Sequence, residues 1–366
     1  MNYKIVKYSE IGKIRSGKRL PKGYTVSEKI SNNKYIRVRD INSGSIDSSI
    51  VQYITDEAAE KLERYKVKTR DVIISVVGTV GAIAQIDESL NGAYLTENCD
   101  NLQVDESLCL KDYLKYYLLS EDGSKEIIAN TVGSTQPKLP IYGIENFNIK
   151  LPSIDNQKRI VKLLNSIDKK IKLNNEINNN LYKLIKNNYE SLINGCNWEE
   201  VELGAISNIT SGKRPVDKSE TGEYPVIGAN GIMAYTSDYN FNEDLIITGR
   251  VGTLGVVKRY LGKIWASDNT LVIQTKYLNY IENYLKTIDY YSLNRGSTQP
   301  LLTQGDLKKQ IIYFNGESVT KFEKDNQMFV DKIRNNEKEN SKLIQLRDTL
   351  LPKLMNGEID LDNIEI

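Results

Sequence analysis

Gly133-Ser134-Thr135-Gln136-Pro137 occurs again 163 residues later as Gly296-Ser297-Thr298-Gln299-Pro300, and this repeat decides how the fold is interpreted. Three more short motifs recur in the same order: Ser-Gly-Lys-Arg at 16–19 and 211–214, Val-Gly-Thr-x-Gly at 77–81 and 251–255, and a tract ending in Asn-Gly at 192–195 and 354–357. Chance matches would not keep this order. The chain is therefore predicted to contain two copies of one unit in a pseudo-twofold arrangement, which suits a ligand with two similar faces, such as duplex DNA.

The C-terminal part of each copy has a helical period. Apolar and Asn residues recur every three or four positions over about four heptads, which predicts two long coiled-coil helices. The seam residues are Leu164, Ile167, Ile171, Asn174, Asn178, Leu181, Ile185, Asn188 and Leu192 in the first tract, and Asn326, Phe329, Ile333, Asn336, Asn340, Leu343, Arg347, Leu350 and Leu354 in the second. We expect the tracts to pair antiparallel, with matching Asn layers that lower stability but set the register. The alternative is two amphipathic helices that each lie on their own domain.

The rest of each copy mixes short apolar runs with Gly and Asn, a pattern typical of strands and turns. Residues 71–75 and 244–248 are predicted to be the same buried strand in each copy, followed by a tight turn whose glycines adopt positive φ. The two Gly-Ser-Thr-Gln-Pro segments are predicted to be exposed loops. The predicted fold class is α+β, with two pseudo-twofold-related β-rich domains separated by two long antiparallel coiled-coil helices.

The composition limits the possible functions. The chain has 366 residues, of which 40% are hydrophobic and 27% charged, as in a soluble globular protein of two or three domains. Its net charge is only +1, so nucleic-acid binding must come from local basic clusters. We expect no membrane span and, because MNYKIVKYSE has no apolar signal region, a cytoplasmic protein. The scattered Cys99, Cys109 and Cys196 agree with a reducing compartment and argue against a zinc site.

The sequence has no motif for catalysis. It contains no histidine, and none of its Gly-Lys pairs is followed by the Ser or Thr of a phosphate-binding P-loop. No proline follows Asn or Asp, as the Asn/Asp-Pro-Pro-aromatic motif of amino-methyltransferases requires, and no Pro-Asp pair opens a nuclease motif. We therefore expect a non-catalytic protein without a metal site.

The sequence resembles the specificity subunits of type I restriction–modification systems over essentially its whole length. The resemblance rests on residues 133–137 followed by Leu-Pro-Ser-Ile-Asp-Asn-Gln-Lys-Arg-Ile-Val at 151–161, similar to the entry into the family's central conserved helix. Residues 295–300 and 350–357 resemble the distal conserved helix and its end, and residues 224–231 and 266–270 resemble motifs of the target-recognition domains. The second copy departs from the pattern, since Tyr-Phe-Asn-Gly at 313–316 replaces the Leu-Pro and Gln-x-x-Ile-Val pair, which leaves the start of its helix open.

The resemblance implies a sequence-specific DNA-binding subunit in which each of two target-recognition domains reads half of a split site. The predicted boundaries are 1–152 for the first domain, 153–195 for the central helix, 196–316 for the second domain, and 317–366 for the distal helix and tail. The implied partners are double-stranded DNA, two copies of a methyltransferase subunit, and restriction or translocase subunits. This chain would bind no cofactor, because S-adenosylmethionine, ATP and Mg would belong to those partners.

Candidate DNA-binding residues come from the repeated motifs and from arginines that differ between the copies. They are Lys18, Arg19, Arg37, Arg39, Ser134, Thr135, Gln136, Lys213, Arg214, Arg250, Arg295, Ser297, Thr298 and Gln299. The Lys-Arg pairs beside a glycine suit phosphate contact, or are solvated surface charge. Arg37 and Arg39 alternate along a predicted strand, where they would grip guanine edges or pair with Asp40. The two glutamines would bind adenine or cap their loops.

Two other functions stay open from the sequence. One is a DNA-binding protein of the same fold that has no active enzyme partner. The other is a coiled-coil scaffold that binds no DNA. Neither the target sequence nor its spacer length follows from the residues.

Overall fold

The protein, represented by a computed structural model, is described over residues 3–42, 44–48, 50–195 and 197–359; the predicted free thiol of Cys196 lies outside these ranges. The chain forms two compact units. Unit 1 comprises Met1–Ile171 and Ser341–Ile366, and unit 2 comprises Lys172–Asn340. Two 40-residue helices, Ile154–Ile193 and Gly316–Met355, therefore each contribute one part to unit 1 and one part to unit 2.

Unit 1 combines short strands and short helices with parts of both long helices. Its strands are β1 (Lys4–Lys7), β2 (Gly12–Ser16), β3 (Lys34–Ile36), β4 (Ile41–Asn42), β5 (Ser45–Ile46), β6 (Gln52–Tyr53), β7 (Val72–Ser75), β8 (Ile83–Gln85), β9 (Tyr94–Leu95), β10 (Cys99–Val104) and β11 (Asn148–Leu151). Its helices are α1 (Tyr8–Ile11), α2 (Asp56–Lys61), α3 (Lys111–Leu119), α4 (Glu121–Asn130), α5 (Ile141–Glu145) and the first part of α6 (Ile154–Ile193), with 3-10 turns at Val38–Asp40, Glu63–Tyr65 and Glu88–Leu90.

Unit 2 repeats this plan with fewer helices among its described residues. Its strands are β12 (Glu199–Glu202), β13 (Asn208–Ser211), β14 (Tyr224–Gly228), β15 (Gly231–Thr236), β16 (Phe241–Asn242), β17 (Leu245–Gly249), β18 (Lys258–Tyr260), β19 (Lys263–Ala266), β20 (Thr270–Gln274) and β21 (Ile311–Phe314). Its helices are the second part of α6, α7 (Leu203–Ile206), α8 (Leu278–Leu285), α9 (Gln304–Lys308) and the first part of α10 (Gly316–Met355).

The two units share one sheet topology. A four-stranded antiparallel sheet has the order β2-β10-β7-β8 in unit 1 and β13-β20-β17-β18 in unit 2. Beside it, β3 runs parallel to β9, with Ile36 opposite Leu95, and β14 runs parallel to β19, with Ile227 opposite Ala266. Each unit also has a two-stranded antiparallel sheet, β1 with β11 or β12 with β21. The units differ in the strands that flank the parallel pair, which lies in β6-β3-β9 or in β15-β14-β19-β16, and in the β4-β5 pair of unit 1. The duplicated α+β architecture predicted from the motifs is confirmed.

The predicted central strand lies in the core of each unit. Every residue of β7 and of β17 is buried. Both strands lead into the Val-Gly-Thr-x-Gly turn, where Gly78 has a φ of 85° and Gly252 a φ of 84°. Only glycine adopts this left-handed conformation without steric strain, so these glycines serve the turn.

One further repeat was not apparent from the motifs. The Tyr113 hydroxyl of α3 donates a hydrogen bond to the Lys150 carbonyl of β11 at 2.6 Å. The Tyr280 hydroxyl of α8 likewise donates to the carbonyl of Tyr313 in β21. In each unit, one tyrosine therefore joins a helix to the two-stranded sheet. This shared contact is a further product of the duplication.

The two long helices pair antiparallel within each unit. In unit 2, Asn174 Nδ2 donates to Asn340 Oδ1 at 2.9 Å, and Asn336 Nδ2 donates to Asn178 Oδ1 at 2.7 Å. In unit 1, Arg347 Nη1 lies 3.2 Å from Asp168 Oδ1. This pairing excludes the alternative arrangement, in which two amphipathic helices each lie on their own domain.

The predicted seam lies at this helix pair. Its members Leu164, Ile167, Asn174, Asn178, Ile185, Asn326, Ile333, Asn336, Asn340 and Leu354 are buried, and Ile171, Leu181, Leu192, Phe329, Leu343, Arg347 and Leu350 are half-buried. Asn188 is exposed, and Tyr189 occupies the buried position instead. The reason is that a straight helix of 3.6 residues per turn drifts away from a strict 3.5-residue repeat toward its end.

The second long helix, whose start could not be predicted from the sequence, begins at Gly316. Asn315 Oδ1 accepts a hydrogen bond from Ser318 N at 3.0 Å, which is the contact of an N-terminal cap. The first helix begins in the same way, with Ser153 Oγ accepting from Asn156 N at 3.3 Å. Different residues thus cap the two helices, and the missing Leu-Pro motif of the second copy does not delay its helix.

The prediction that residues 35–40 form one strand is wrong. The strand β3 ends at Ile36, and Val38–Asp40 form a 3-10 turn. Asp40 causes the turn, because its Oδ2 accepts a hydrogen bond from the backbone N–H of Arg37 at 2.8 Å. Arg37 and Arg39 consequently do not share a strand face.

Among the described residues, no helix is long and apolar enough to cross a bilayer.

Candidate nucleic-acid interface

The repeated motifs meet at one edge of the four-stranded sheet. In unit 1, β2 and β7 end where β10 begins, since Ser16 pairs with Asp100 and Ser75 pairs with Cys99. The Ser-Gly-Lys-Arg and Val-Gly-Thr-x-Gly motifs directly follow β2 and β7. The order β13-β20-β17 creates the same edge in unit 2. We call these two surfaces the loop edges of the units.

The glycine of Ser-Gly-Lys-Arg holds each loop edge together. Gly17 N donates to Cys99 O at 2.9 Å, and Lys18 N donates to Leu95 O at 2.8 Å. A Cβ atom on Gly17 would lie 2.0 Å from the Thr96 carbonyl oxygen. In unit 2, a Cβ atom on Gly212 would lie 2.1 Å from the Ser267 carbonyl oxygen. The close approach that glycine permits is therefore to the protein's own backbone.

Backbone hydrogen bonds tie the Gly-Ser-Thr-Gln-Pro loops to the same edges. Leu139 N donates to Val76 O at 2.9 Å in unit 1, and Leu302 N donates to Arg250 O at 2.8 Å in unit 2. The loop residues Ser134, Thr135, Gln136, Ser297, Thr298 and Gln299 are exposed, as predicted. Their side chains are thus free to contact a ligand.

The turn after the parallel strand pair also borders each edge. Thr96 N donates to Ile36 O at 3.1 Å in unit 1, and Ser267 N donates to Ile227 O at 2.9 Å in unit 2. An aromatic donor completes the contact, because the Tyr35 hydroxyl reaches Lys18 O at 2.8 Å and Trp265 Nε1 reaches Lys213 O at 2.8 Å. Strand β3, which directly precedes Arg37, therefore contacts the Ser-Gly-Lys-Arg segment through Tyr35.

Carboxylates hold Arg19 and Arg295 at the loop edges. Arg19 Nε lies 2.6 Å from Glu97 Oε1. Burial raises the pKa of the Glu97 carboxyl, but hydrogen bonds from Arg19 and Thr96 outweigh this effect, so the pKa lies below its ordinary value. Arg295 donates to both oxygens of Asp306, which lowers the pKa of Asp306 to about 2. Glu97 and Asp306 carried no sequence signal, because Glu97 lies 78 residues from its arginine and Asp306 lies in a different element from its arginine.

The other arginines differ in exposure. The Arg37 side chain is 20% exposed and its Nε lies 3.5 Å from Asp40 Oδ2, whereas the Arg39 side chain is 64% exposed. Asp40 itself is almost fully buried. Arg250 Nη1 donates to the Asp268 carbonyl at 3.3 Å. The ion pair with Asp40, one of the two alternatives for Arg37 and Arg39, is present for both, since Arg39 Nε lies 3.7 Å from Asp40 Oδ1. Arg39 also donates to Gln52 Oε1 at 3.3 Å, but most of its side chain projects into solvent.

Three candidate cations are unengaged at the edges. Lys18, Lys213 and Arg214 are exposed, and their side chains form no hydrogen bond or ion pair with the part of the chain that the structure describes. Free cations beside exposed Ser, Thr and Gln residues form the kind of surface that contacts phosphate oxygens.

Within the described ranges, no cluster of three or more Cys, Asp or Glu side chains could hold a metal ion.

Two copies of one fold, each presenting a basic loop edge, define a duplicated recognition protein. Residues 1–183 and 196–314 match the family described as the type I restriction modification DNA specificity domain. Because this match covers most of the sequence, the chain belongs to that family.

Individual relatives agree with this assignment. The type I restriction enzyme MjaVIII specificity subunit of Methanocaldococcus jannaschii is 25% identical over 202 residues, which are 53% of this chain and 46% of that protein. The chain thus spans about half the length of this relative. The MjaIX specificity subunit of the same organism is 25% identical over 304 residues, 70% of each protein. The crystal structure of a type I restriction-modification S subunit from M. genitalium has the same fold, with a TM-score of 0.60, 17% identity, and coverage of 97% of this chain and 96% of that one.

Proposed function

We propose that this chain is the non-catalytic DNA-recognition subunit of a type I restriction–modification complex and that each loop edge contacts one half of a bipartite DNA site. The observation that carries the proposal is the duplicated loop edge in a member of the DNA specificity family. Residues 1–152 and 196–316 are the proposed target-recognition domains, and 153–195 and 317–366 are the helical segments.

The exposed Lys18, Lys213 and Arg214 suit contacts with phosphates, which orient a protein on DNA without reading its sequence. Arginines that differ between the copies, Arg250 and Arg295, suit base readout, since a guanidinium bridges O6 and N7 of guanine. Neither arginine has an arginine counterpart in unit 1, so two copies on one framework can read different half-sites.

Methyl transfer and DNA cleavage are proposed to belong to partner subunits, with two methyltransferase copies, one for each repeat. S-adenosylmethionine, ATP and Mg would be bound by those subunits.

The test is to express the chain with its methyltransferase and to map methylated bases in the host genome. We expect one bipartite sequence to be methylated, and native mass spectrometry to show two methyltransferase copies per chain. Binding of a bipartite sequence from a random duplex pool without methylation would favour a DNA-binding protein that has no enzyme partner. Selection of no sequence, with or without methyltransferase, would favour the scaffold that binds no DNA.

A further inference from the structure

The two long helices carry corresponding residues 162 positions apart, which makes alternative pairings conceivable. Asn174 corresponds to Asn336 and Asn178 to Asn340, and the four form the central Asn layers. If α6 paired with α6 of a second copy of the chain, Asn178 would replace Asn340 and Asn174 would replace Asn336. The Asn–Asn hydrogen bonds would then be unchanged, although Asn174 would lose its second acceptor, Glu339 Oε2 at 2.8 Å, because Ile177 corresponds to Glu339. The Asn–Asn contacts themselves set the register but do not distinguish α10 from a second α6.

An outer polar layer does make this distinction. In unit 2, Asn188 Nδ2 donates to Asn326 Oδ1 at 2.9 Å, and Asn326 is buried. The corresponding residues in unit 1 are Leu350 and Leu164, which belong to one apolar cluster. Polar thus meets polar and apolar meets apolar only when α6 pairs with α10. In a self-paired α10, Asn326 Oδ1 would face Leu350 and lose its donor, and in a self-paired α6 the buried Leu164 would face Asn188. A buried polar atom that loses its hydrogen bond costs its full desolvation.

A second outer layer also distinguishes the α6–α10 pair from pairs of like helices. Arg347 pairs with Asp168 in unit 1, and the corresponding residues in unit 2 are Ile185 and Val330, both buried in one cluster. In a self-paired α10, the half-buried Arg347 would face Val330. Asp168 would keep hydrogen bonds from Tyr116 and Lys115 of α3 in a self-paired α6, so the arginine is the more sensitive member.

We infer that these two asymmetric layers form a pairing code, which joins α6 to α10 and rejects the α6–α6 and α10–α10 pairs that a second copy of the chain would offer. The Asn–Asn contacts alone would allow such pairs of like helices between molecules. It does not depend on what the loop edges bind.

The first test is a double-mutant cycle in the full chain, read by thermal unfolding. Asn188→Leu and Asn326→Leu should each lower the melting temperature by several degrees, and the double variant should recover most of the loss because Leu then faces Leu. Single variants as stable as the unaltered chain, or losses that simply add in the double variant, would overturn the inference.

The second test changes the code so that it favours self-pairing. With Asn188→Leu, Leu164 faces Leu in a self-paired α6, and with Leu350→Asn, Asn326 faces Asn in a self-paired α10. Arg347→Ile removes the charge that would face Val330 in a self-paired α10. Two differently tagged copies are co-expressed, and the mass is measured by light scattering. We expect the unaltered chain to have the mass of one 41.6 kDa molecule with the tags apart, and the triple variant to approach twice that mass with the tags together. A triple variant that unfolds cooperatively yet forms no more mixed-tag complex than the unaltered chain would contradict the code. If the triple variant does not fold, the double-mutant cycle decides.

Discussion

Arg295 donates two hydrogen bonds to Asp306, from Nε at 3.1 Å and from Nη2 at 2.8 Å. The pair links the start of the second Gly-Ser-Thr-Gln-Pro loop to α9, and Thr303 Oγ1 donates to the same carboxylate at 2.7 Å. A guanidinium held at two points loses less conformational entropy when it binds a further group. Arg295 is therefore oriented in advance at the loop edge of unit 2.

This pair predicts a specific titration. The hydrogen bonds from Arg295 and Thr303 hold the pKa of Asp306 at about 2, so Arg295→Ala should raise that pKa toward about 3.9, the ordinary value of Asp. The sign for stability follows, because a depressed pKa stabilises the folded chain above the unfolded pKa and this contribution is lost as pH falls through about 2. The measurement is a carboxyl-carbon NMR titration. Arg19→Ala is the control and should leave the Asp306 titration unchanged.

Phosphate contact and base readout should respond differently to mutation. Replacing Lys213 and Arg214 with Ala is expected to weaken binding to all DNA sequences and to flatten the salt dependence. Arg250→Ala should instead relax one half-site, by about 1–3 kcal/mol. Binding titrations at several salt concentrations separate the two effects. Replacing the exposed Lys321 and Lys324 of α10 removes the same charge away from the loop edge and serves as the control. If that control flattened the salt dependence equally, the effect of Lys213 and Arg214 would be one of general charge.

Arg37 and Arg39 are expected to have separate roles. Removing Arg37 leaves the buried Asp40 without its nearest guanidinium, so Arg37→Ala should lower the free energy of unfolding of unit 1. Arg39→Ala, at a side chain that is 64% exposed, should leave unfolding nearly unchanged and weaken DNA binding. Urea unfolding and DNA titration of both variants are the measurements. Equal losses of stability would show that the two arginines form one structural cluster.

Gly17→Ala and Gly212→Ala test the framework of the loop edges. A Cβ atom at either position would overlap a backbone carbonyl oxygen, so each substitution should cost about 1–3 kcal/mol of stability. Gly305→Ala, where the nearest atom is 3.9 Å away, is the matched control and should be neutral. Urea unfolding midpoints check this. Wild-type stability in Gly17→Ala would mean that the edge has room to rearrange.

The sequence allowed prediction of the features that depend on local periodicity. The buried strand after Asp71, the exposed Gly-Ser-Thr-Gln-Pro loops and the two long helices all follow from patterns within about 40 residues, and the antiparallel pairing of the helices follows from the repeat between the copies. The strand predicted through Arg37 failed because one side-chain hydrogen bond, from Arg37 N to Asp40, outweighs the alternation of apolar residues. The partners of Arg19 and the contacts of Gly17 were not predictable, since they depend on residues about 80 positions away that only the fold brings close.

The backbone hydrogen bonds of the loop edges have an evolutionary consequence. Lys18 O is held by Tyr35 and Lys213 O by Trp265, two different residues from non-equivalent strands, yet the main-chain contacts around them are the same. A framework held by main-chain atoms keeps its shape while its outward-facing side chains change. Mutation in one copy after the duplication could thus alter the ligand that its edge accepts without refolding the unit, and the other copy would retain its original preference.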